Sequence, residues 1–247
     1  FVCASGNSRK NMDFEDDRDY PSCFGVENQL VVGATNNRDF STFSNYGSMV
    51  EIAAPGETIF SLMPKSLYRS FSGTSQACPL VAGAACWVWA MNPEFTWREV
   101  KARLLDSADQ IAGLGLWVRG GLRMNLVNAL TGKPGKRLPV ENFSRWHEEV
   151  RVIETTHPYK NNASLTWNIE IPEATKMRLH FARLGIEHFS DALMIEEGAG
   201  RELQFFNDER ADFWTDVIPT GTARLVFTSN DTSTDYGFAI DRIQWSD

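Results

Sequence analysis

The chain has 247 residues and a net charge of −8, because 24 Lys and Arg stand against 32 Asp and Glu. Hydrophobic residues make up 43% and charged residues 23%, which is ordinary for a globular protein with one or two cores. The acidic balance argues against nucleic acid as a main partner, since phosphate binding needs a basic face. No apolar run approaches the roughly 20 residues of a transmembrane helix, so we expect no membrane-spanning segment.

The first four residues, Phe1 to Ala4, are apolar and typical of a buried strand. Neither an initiating Met nor a signal peptide precedes them. A chain that opens inside a core strand predicts a fragment or a processed piece of a longer protein.

The four cysteines lie within the first 86 residues: Cys3, Cys23, Cys78 and Cys86. Their spacing matches no zinc site, and their density is far below that of a disulfide scaffold. We expect small, buried, free thiols. The alternative is a single disulfide that joins Cys3 to Cys23.

Short buried strands are predicted at residues 29–33 and 50–54, the second of them closed by Pro55 and Gly56. Residues 74–91 carry small and apolar side chains almost throughout. This composition predicts a helix that is buried on most of its faces.

Two further helices are predicted from their caps. Thr96 and Glu99 fit a capping box, so a helix should run from there to about residue 107. Asn125 can cap a short helix over residues 126–130. Strands that alternate with helices indicate an α/β layer structure for residues 1–131.

Residues 132–145 are rich in Gly, Pro and Lys, as in a linker. Over residues 146–247 the pattern changes to alternation of polar and apolar residues with period two, and no helical stretch of useful length remains. Strands are predicted at residues 166–171, 176–181, 192–195 and 223–227. This half is therefore predicted to be an all-β sandwich.

Ser75 carries the strongest chemical signal of the first half. It enters the predicted helix of residues 74–91 at its N-terminus, behind Gly73, where free N–H groups and the helix dipole favour negative charge. A nucleophile fits this position. From spacing alone, an ordinary helix-capping serine fits it as well.

The segment around Ser75, GTSxAxPxVAG over residues 73–83, resembles the nucleophile motif of the subtilisin-like (S8) serine proteases. Other segments resemble that family in the same chain order: residues 4–7, 20–22, 31–34, 43–47, 54–56 and 121–125. The resemblance covers residues 1–131. It implies the C-terminal portion of a subtilisin-like, parallel-sheet α/β domain.

The resemblance also implies a mechanism that uses no cofactor. Ser75 Oγ would attack the scissile carbonyl and form an acyl-enzyme. The Asn7 amide and the Ser75 N–H would donate to the oxyanion. Ala4, Ser5 and Gly6 would line the specificity pocket and pair with an extended substrate, with Gly73 and Thr74 also at the substrate. Taken alone, Asn7 is equally a turn residue.

The family places its catalytic Asp and His before the oxyanion asparagine in the chain. All four histidines of this sequence follow Ser75, in contexts unlike the family motif: His147, His157, His180 and His188. We expect them to be surface or strand residues. The catalytic Asp and His are then expected on an N-terminal segment that is missing or a separate chain, and this chain alone should hydrolyse nothing.

Residues 11–19 hold five carboxylates and one arginine just after the oxyanion segment. A solvated acidic loop is one interpretation. The others are a calcium site, with Asp13 as the candidate ligand, or a preference for basic substrate residues.

From Glu154 onward the chain resembles CUB-type β-sandwich (jelly-roll) modules, through residues 156–159, 165–169, 179–181, 186–195 and 227–238. Some CUB modules bind structural calcium. Matched by motif, the ligands here would be Glu187, Asp191 and Asn230, with Asp231 beside the last. Acidic loop tips of a soluble sandwich are the alternative interpretation.

Together these features predict a serine endopeptidase that cleaves peptide bonds in proteins at a secreted or extracytoplasmic site. The alternative is an inactive pseudoprotease or assembly subunit whose CUB-like domain binds a protein or a carbohydrate. In a third hypothesis, the β-rich half is itself the functional unit, carried by a remnant protease domain.

Overall fold

A computed structural model describes residues 1–37, 39, 41, 43–187, 191–197, 200–207 and 209–247, apart from the side chains of residues 201 and 202. The chain divides into two compact units, Phe1–Pro139 and Val140–Asp247.

The boundary between the two units lies between Pro139 and Val140, within the predicted linker. Residues 133–138 hydrogen-bond to the first unit; the Lys136 N–H, for example, donates to Asp109 Oδ1 at 2.8 Å. In the second unit, Glu141 pairs with Lys176 at 2.5 Å. The predicted linker over residues 132–145 therefore has partners on both sides of Pro139.

The first unit is α/β, as predicted, and its described residues form seven strands. They are β1 (Val2–Ala4), β2 (Leu30–Thr35), β3 (Ile52–Pro55), β4 (Ile59–Met63), β5 (Leu67–Phe71), β6 (Asp109–Gln110) and β7 (Leu122–Arg123). The main sheet has the order β1-β2-β3-β7-β6. Its first four strands run parallel and β6 runs antiparallel to β7, so the sheet is mixed rather than purely parallel. Strands β4 and β5 form a separate hairpin that the sequence analysis did not predict.

Among its described residues, the first unit also has three α-helices: α1 (Thr74–Met91), α2 (Trp97–Ser107) and α3 (Leu126–Thr131). The capping box of α2 is complete, because the Glu99 N–H donates to Thr96 Oγ1 and the Thr96 N–H donates to Glu99 Oε2 at 2.7 Å. At the start of α3, Asn125 Oδ1 accepts the Asn128 N–H at 3.0 Å. Both predicted caps are confirmed.

Helix α1 packs through a single stripe: Thr74, Ala77, Val81, Ala84 and Val88. Its opposite face is exposed, with Leu80, Trp87 and Met91 at 40%, 63% and 60%. The prediction of a helix buried on most faces is therefore wrong. An uncharged composition shows that a face is apolar, and only the neighbouring elements decide whether that face is covered.

In the second unit, the part that the structure describes has eight strands, all antiparallel to their neighbours. They are β8 (His147–Glu154), β9 (Ser164–Glu170), β10 (Lys176–Gly185), β11 (Ala192–Glu197), β12 (Arg201–Phe206), β13 (Glu209–Trp214), β14 (Thr222–Thr228) and β15 (Gly237–Ser246). They form two four-stranded sheets, β13-β10-β15-β8 and β12-β11-β14-β9. Phe181 and Phe238 of one sheet pack on Phe206 and Phe227 of the other. The all-β prediction is confirmed, and four of the eight strands match predicted ones.

All four cysteines are free thiols. Cys86 is exposed and the other three are half-buried, so the expected full burial is wrong. No helix in the described part of the chain is long and apolar enough to cross a membrane.

Candidate active site

Ser75 lies exposed in the first turn of α1, immediately after a tightly packed entry into the helix. The Gly73 N–H donates to the Gly56 carbonyl at 2.8 Å. A Cβ on Gly56 would come within 2.5 Å of Ala34 Cβ and 2.9 Å of the Gly73 carbonyl, so only glycine permits this approach. The two glycines thus bring the start of α1 against the end of β3.

Asn7 follows β1 and is bound to Thr74, the residue before Ser75. Asn7 Oδ1 accepts the Thr74 N–H at 2.8 Å and the Thr74 hydroxyl at 2.9 Å. Thr74 Oγ1 in turn accepts the Gly6 N–H at 3.2 Å. The structure therefore brings together three of the predicted site residues (Gly6, Asn7, Thr74) beside Ser75.

This arrangement fixes the orientation of the Asn7 amide. Because Oδ1 faces both donors of Thr74, Nδ2 is the group left to donate elsewhere. The N–H of Ser75 belongs to the first turn of α1, where backbone donors lack intrahelical partners and the helix dipole favours an anion. The head of α1 can therefore stabilise negative charge that develops next to Ser75 Oγ.

Cys78 lies one turn further along α1, half-buried, with Sγ 3.4 Å from the Val2 carbonyl. Burial, and secondarily the neighbouring Cys3, raise the pKa of the Cys78 thiol. A thiol in this state is a poor nucleophile, which leaves Ser75 as the candidate at this helix end.

The predicted pocket segment is largely committed to contacts within the protein. Ser5 is fully buried; its N–H donates to the Val32 carbonyl, and its own carbonyl accepts from Asn45 Nδ2. The Gly6 carbonyl accepts the Asn45 N–H at 2.9 Å. Alternate residues of a parallel strand direct their backbone N–H and carbonyl to opposite sides. Since Ser5 donates to β2, the backbone N–H and carbonyl of Ala4 face away from β2. Ala4 is therefore the residue of this segment whose backbone can pair with an extended chain.

Asn45, to which the sequence analysis gave no role, is the centre of this network. It is fully buried and hydrogen-bonds to residues on both sides of Asn7. The available signal was its place in the family-like segment 43–47, together with the rarity of a fully buried asparagine.

In the acidic loop, the Asp13 carboxylate accepts the Ser48 N–H at 2.9 Å and the Ser48 hydroxyl at 2.5 Å. Asp17 pairs with Lys10 at 3.2 Å. Over the described residues, no three carboxylate, His or Cys side chains are grouped as metal ligands. In this structure the Asp13 carboxylate serves protein donors, and calcium binding at this loop stays a prediction.

In the second unit, Asp191, one of the residues matched to calcium ligands, is also bound to protein groups. Asp191 is buried; its Oδ2 accepts the Tyr159 hydroxyl at 2.5 Å and its Oδ1 accepts the Asn230 N–H at 2.7 Å. The Tyr159 hydroxyl also accepts the Glu187 N–H at 3.2 Å. Burial, and secondarily Asp191, raise the pKa of Tyr159, so this phenol stays a donor. Asp231 is exposed and contributes its carbonyl to Asn161 at 3.0 Å. The Asp191 carboxylate thus serves protein donors.

Three histidines lie in the described part of the second unit, each near a carboxylate of that unit: His147 near Asp247, His157 near Glu154, and His180 near Asp241. His188 lies outside the described residues.

Comparison with known proteins identifies a family for the first unit. The sequence model of the Subtilase family (peptidase S8) matches residues 1–136. Thermitase of Thermoactinomyces vulgaris is 37% identical over 131 residues, which cover 52% of this chain and 43% of thermitase. Subtilisin Savinase of Lederbergia lenta is 37% identical over 129 residues, which cover 52% of this chain and 44% of the relative.

Among solved structures, the A-subunit of the AB5 toxin from E. coli is 27% identical with a TM-score of 0.49, covering 53% of this chain and 49% of that one. The chain spans less than half the length of each of these relatives. The family match nevertheless extends over more than half of the chain and contains Asn7 and Ser75. The chain belongs to the subtilase family.

Proposed function

We propose that residues 1–139 are the nucleophile-bearing part of a serine endopeptidase that cleaves peptide bonds in proteins. The observation that carries the proposal is the pair of Thr74 hydrogen bonds to Asn7 Oδ1, which direct a side-chain amide beside Ser75 at the head of α1. Thermitase and subtilisin Savinase support it, since both are relatives in a family of peptidases.

In the proposed reaction, Ser75 Oγ adds to the scissile carbonyl carbon while its proton passes to a base. The carbonyl oxygen becomes an oxyanion that accepts from Asn7 Nδ2 and the Ser75 N–H. Collapse of this intermediate expels the amine, which takes the proton from the base, and leaves an ester on Ser75. Water then hydrolyses the ester and releases the acid.

The reaction also needs a base for the Ser75 proton and an acid that orients this base. We propose that a segment outside residues 1–247, covalently joined or associated, supplies the catalytic His and Asp. The 247-residue chain by itself is then inactive, and the active species acts on protein substrates at a secreted or extracytoplasmic site.

The test is to label natively purified protein with a fluorophosphonate and to locate the label by peptide mapping. A label on Ser75, absent from the Ser75→Ala variant and from the neighbouring Ser72, supports the proposal. The recombinant 247-residue chain should remain unlabelled under the same conditions. Native, folded protein that does not label would overturn the endopeptidase proposal.

The second candidate function is an inactive pseudoprotease or assembly subunit that acts through its second unit. It is favoured by the order of the chain, because the family places its catalytic His before the oxyanion asparagine, whereas all four histidines of this sequence follow Ser75. We propose that this unit is a CUB-like sandwich that binds a protein or a carbohydrate; its two four-stranded antiparallel sheets are consistent with that assignment. Binding by a chain that carries Ser75→Ala, together with no native labelling of Ser75, would favour this function.

A further inference from the structure

Asn45 is a fully buried polar side chain whose whole hydrogen-bonding capacity is used. Its Oδ1 accepts the backbone N–H groups of Ser8 and Lys10, at 2.9 and 3.0 Å. Its Nδ2 donates to the Ser5 carbonyl at 3.0 Å and to Asp19 Oδ2 at 2.7 Å. An amide is the side chain that combines two acceptor sites with two donors in one plane.

The backbone of Asn45 adds to the same segment. Its N–H donates to the Gly6 carbonyl at 2.9 Å, and its carbonyl accepts the Ser5 hydroxyl at 3.1 Å. Asn45 therefore contacts residues 5, 6, 8 and 10, which lie on both sides of Asn7. Between β1 and the parallel bridge of Asn11 with Tyr46, the segment belongs to no strand. There the Asn45 amide satisfies backbone groups of residues 5, 8 and 10.

The packing around Gly6 shows how closely Asn45 approaches. Gly6 has a φ of 105°, and a Cβ there would lie 2.4 Å from both Asn45 Nδ2 and Asp19 Oδ2. Asn7 is therefore restrained in two ways. Asn45 hydrogen-bonds to the backbone on either side of it, and Thr74 hydrogen-bonds to its side-chain amide.

We infer that Asn45 is a positioning residue for the Asn7 amide, an inference that rests on the proposed function. An oxyanion donor must lie within hydrogen-bond distance of the developing charge, and a displacement of about 1 Å costs roughly 100-fold in rate. Asn45 does not touch the substrate; it acts by fixing the backbone that carries Asn7.

The first test needs no activity. In the 247-residue chain labelled with ¹⁵N-asparagine, the side-chain amide signals of Asn7 are assigned by their loss in Asn7→Asp. Asn45→Ala should shift or broaden these signals. Val88→Ala, which truncates a fully buried side chain at the far end of α1, should leave them in place. Unchanged Asn7 signals in folded Asn45→Ala would overturn the inference, whether or not the protein is an enzyme.

The second test is a double-mutant cycle in the native, fluorophosphonate-reactive enzyme. Asn45→Ala should lower kcat by roughly 10- to 100-fold with little change in KM. In the Asn7→Asp background, the same change should lower kcat by less than about 2-fold, because the donor that Asn45 positions is already gone. Equal losses in both backgrounds would reduce Asn45 to a general structural role. Failure of wild-type enzyme to label at Ser75 would instead count against the proposed function, and the amide signals would still decide the inference.

Discussion

At the scale of single residues, the site depends on how one amide is oriented. Thr74 donates from both its N–H and its hydroxyl to Asn7 Oδ1, so the two ends of that amide are not interchangeable. Asn7 thereby has two functions that substitution can separate: acceptor for the start of α1 and, in the proposed reaction, donor to the oxyanion.

Asn7→Asp is predicted to separate them. The carboxylate keeps both acceptors for Thr74 and favours the positive end of α1, so the melting temperature of the chain should not fall. The loss of the donor should lower the fluorophosphonate labelling rate of Ser75 in the native enzyme by roughly 100- to 1000-fold, by analogy with the fall in kcat when one oxyanion-hole donor is removed in subtilisin. A labelling rate within a few-fold of wild type would contradict the assignment.

A second residue-scale prediction concerns Tyr159, which is buried and joins Asp191 to the Glu187 N–H. Tyr159→Phe leaves a buried carboxylate oxygen and a backbone N–H without this partner. The free energy of unfolding should fall by about 1–3 kcal/mol, measured by urea denaturation. Tyr68→Phe, at a side chain that is 61% exposed on the β4–β5 hairpin, is the matched control and should change it by less than about 0.5 kcal/mol.

At the scale of elements, the capping box of α2 is the local feature with a clear pH dependence. The Thr96 N–H, and secondarily the Thr96 hydroxyl, hold the pKa of the Glu99 carboxyl below its ordinary value. A carboxyl whose pKa is lowered on folding stabilises the fold above its unfolded pKa, and that stabilisation is lost as the pH falls through the folded pKa.

Thr96→Ala is therefore predicted to lower the free energy of unfolding by about 1 kcal/mol at pH 7, and by less at pH 3. Parallel urea titrations of wild type and variant at the two pH values measure the difference. The control is Thr156→Ala, at an exposed site in the second unit, which should leave the free energy of unfolding unchanged at both pH values. A larger loss of stability in Thr96→Ala at pH 3 than at pH 7 would contradict the role of Glu99.

The helices of the first unit also permit a matched comparison of one side chain in two environments. Leu104 of α2 is 1% exposed, whereas Leu80 of α1 is 40% exposed. In the 247-residue chain, Leu104→Ala should cost about 2–5 kcal/mol, since it leaves a cavity. Leu80→Ala should cost less than about 0.5 kcal/mol. Chemical denaturation tests both, and a large cost at Leu80 would mean that its face of α1 is covered.

At the scale of the whole molecule, each unit has its own buried core. We therefore expect two calorimetric unfolding transitions, one for each unit. Leu104→Ala should lower the melting temperature of one transition, and Leu225→Ala, at a fully buried position in β14, should lower that of the other. A single transition that both variants shift together would show that the two units unfold as one.

The sequence alone was sufficient for features that depend on local chemistry. The caps at Thr96 and Asn125, the limits of α1 and the change from helical to strand periodicity all follow from neighbouring residues, and all agree with the structure. The motif at residues 73–83 was likewise sufficient to identify the family.

Tertiary structure decided what depends on partners distant in the chain. Asn45 lies 38 residues from Asn7, and Thr74 lies 67 residues from it, so no local pattern shows that both hold the same segment. Two other features could not be read from the sequence for the same reason. One is which face of α1 is exposed, and the other is that Asp13 and Asp191 accept hydrogen bonds from protein donors. Composition records which groups a side chain carries, and only the fold decides which other groups lie within hydrogen-bonding or packing distance.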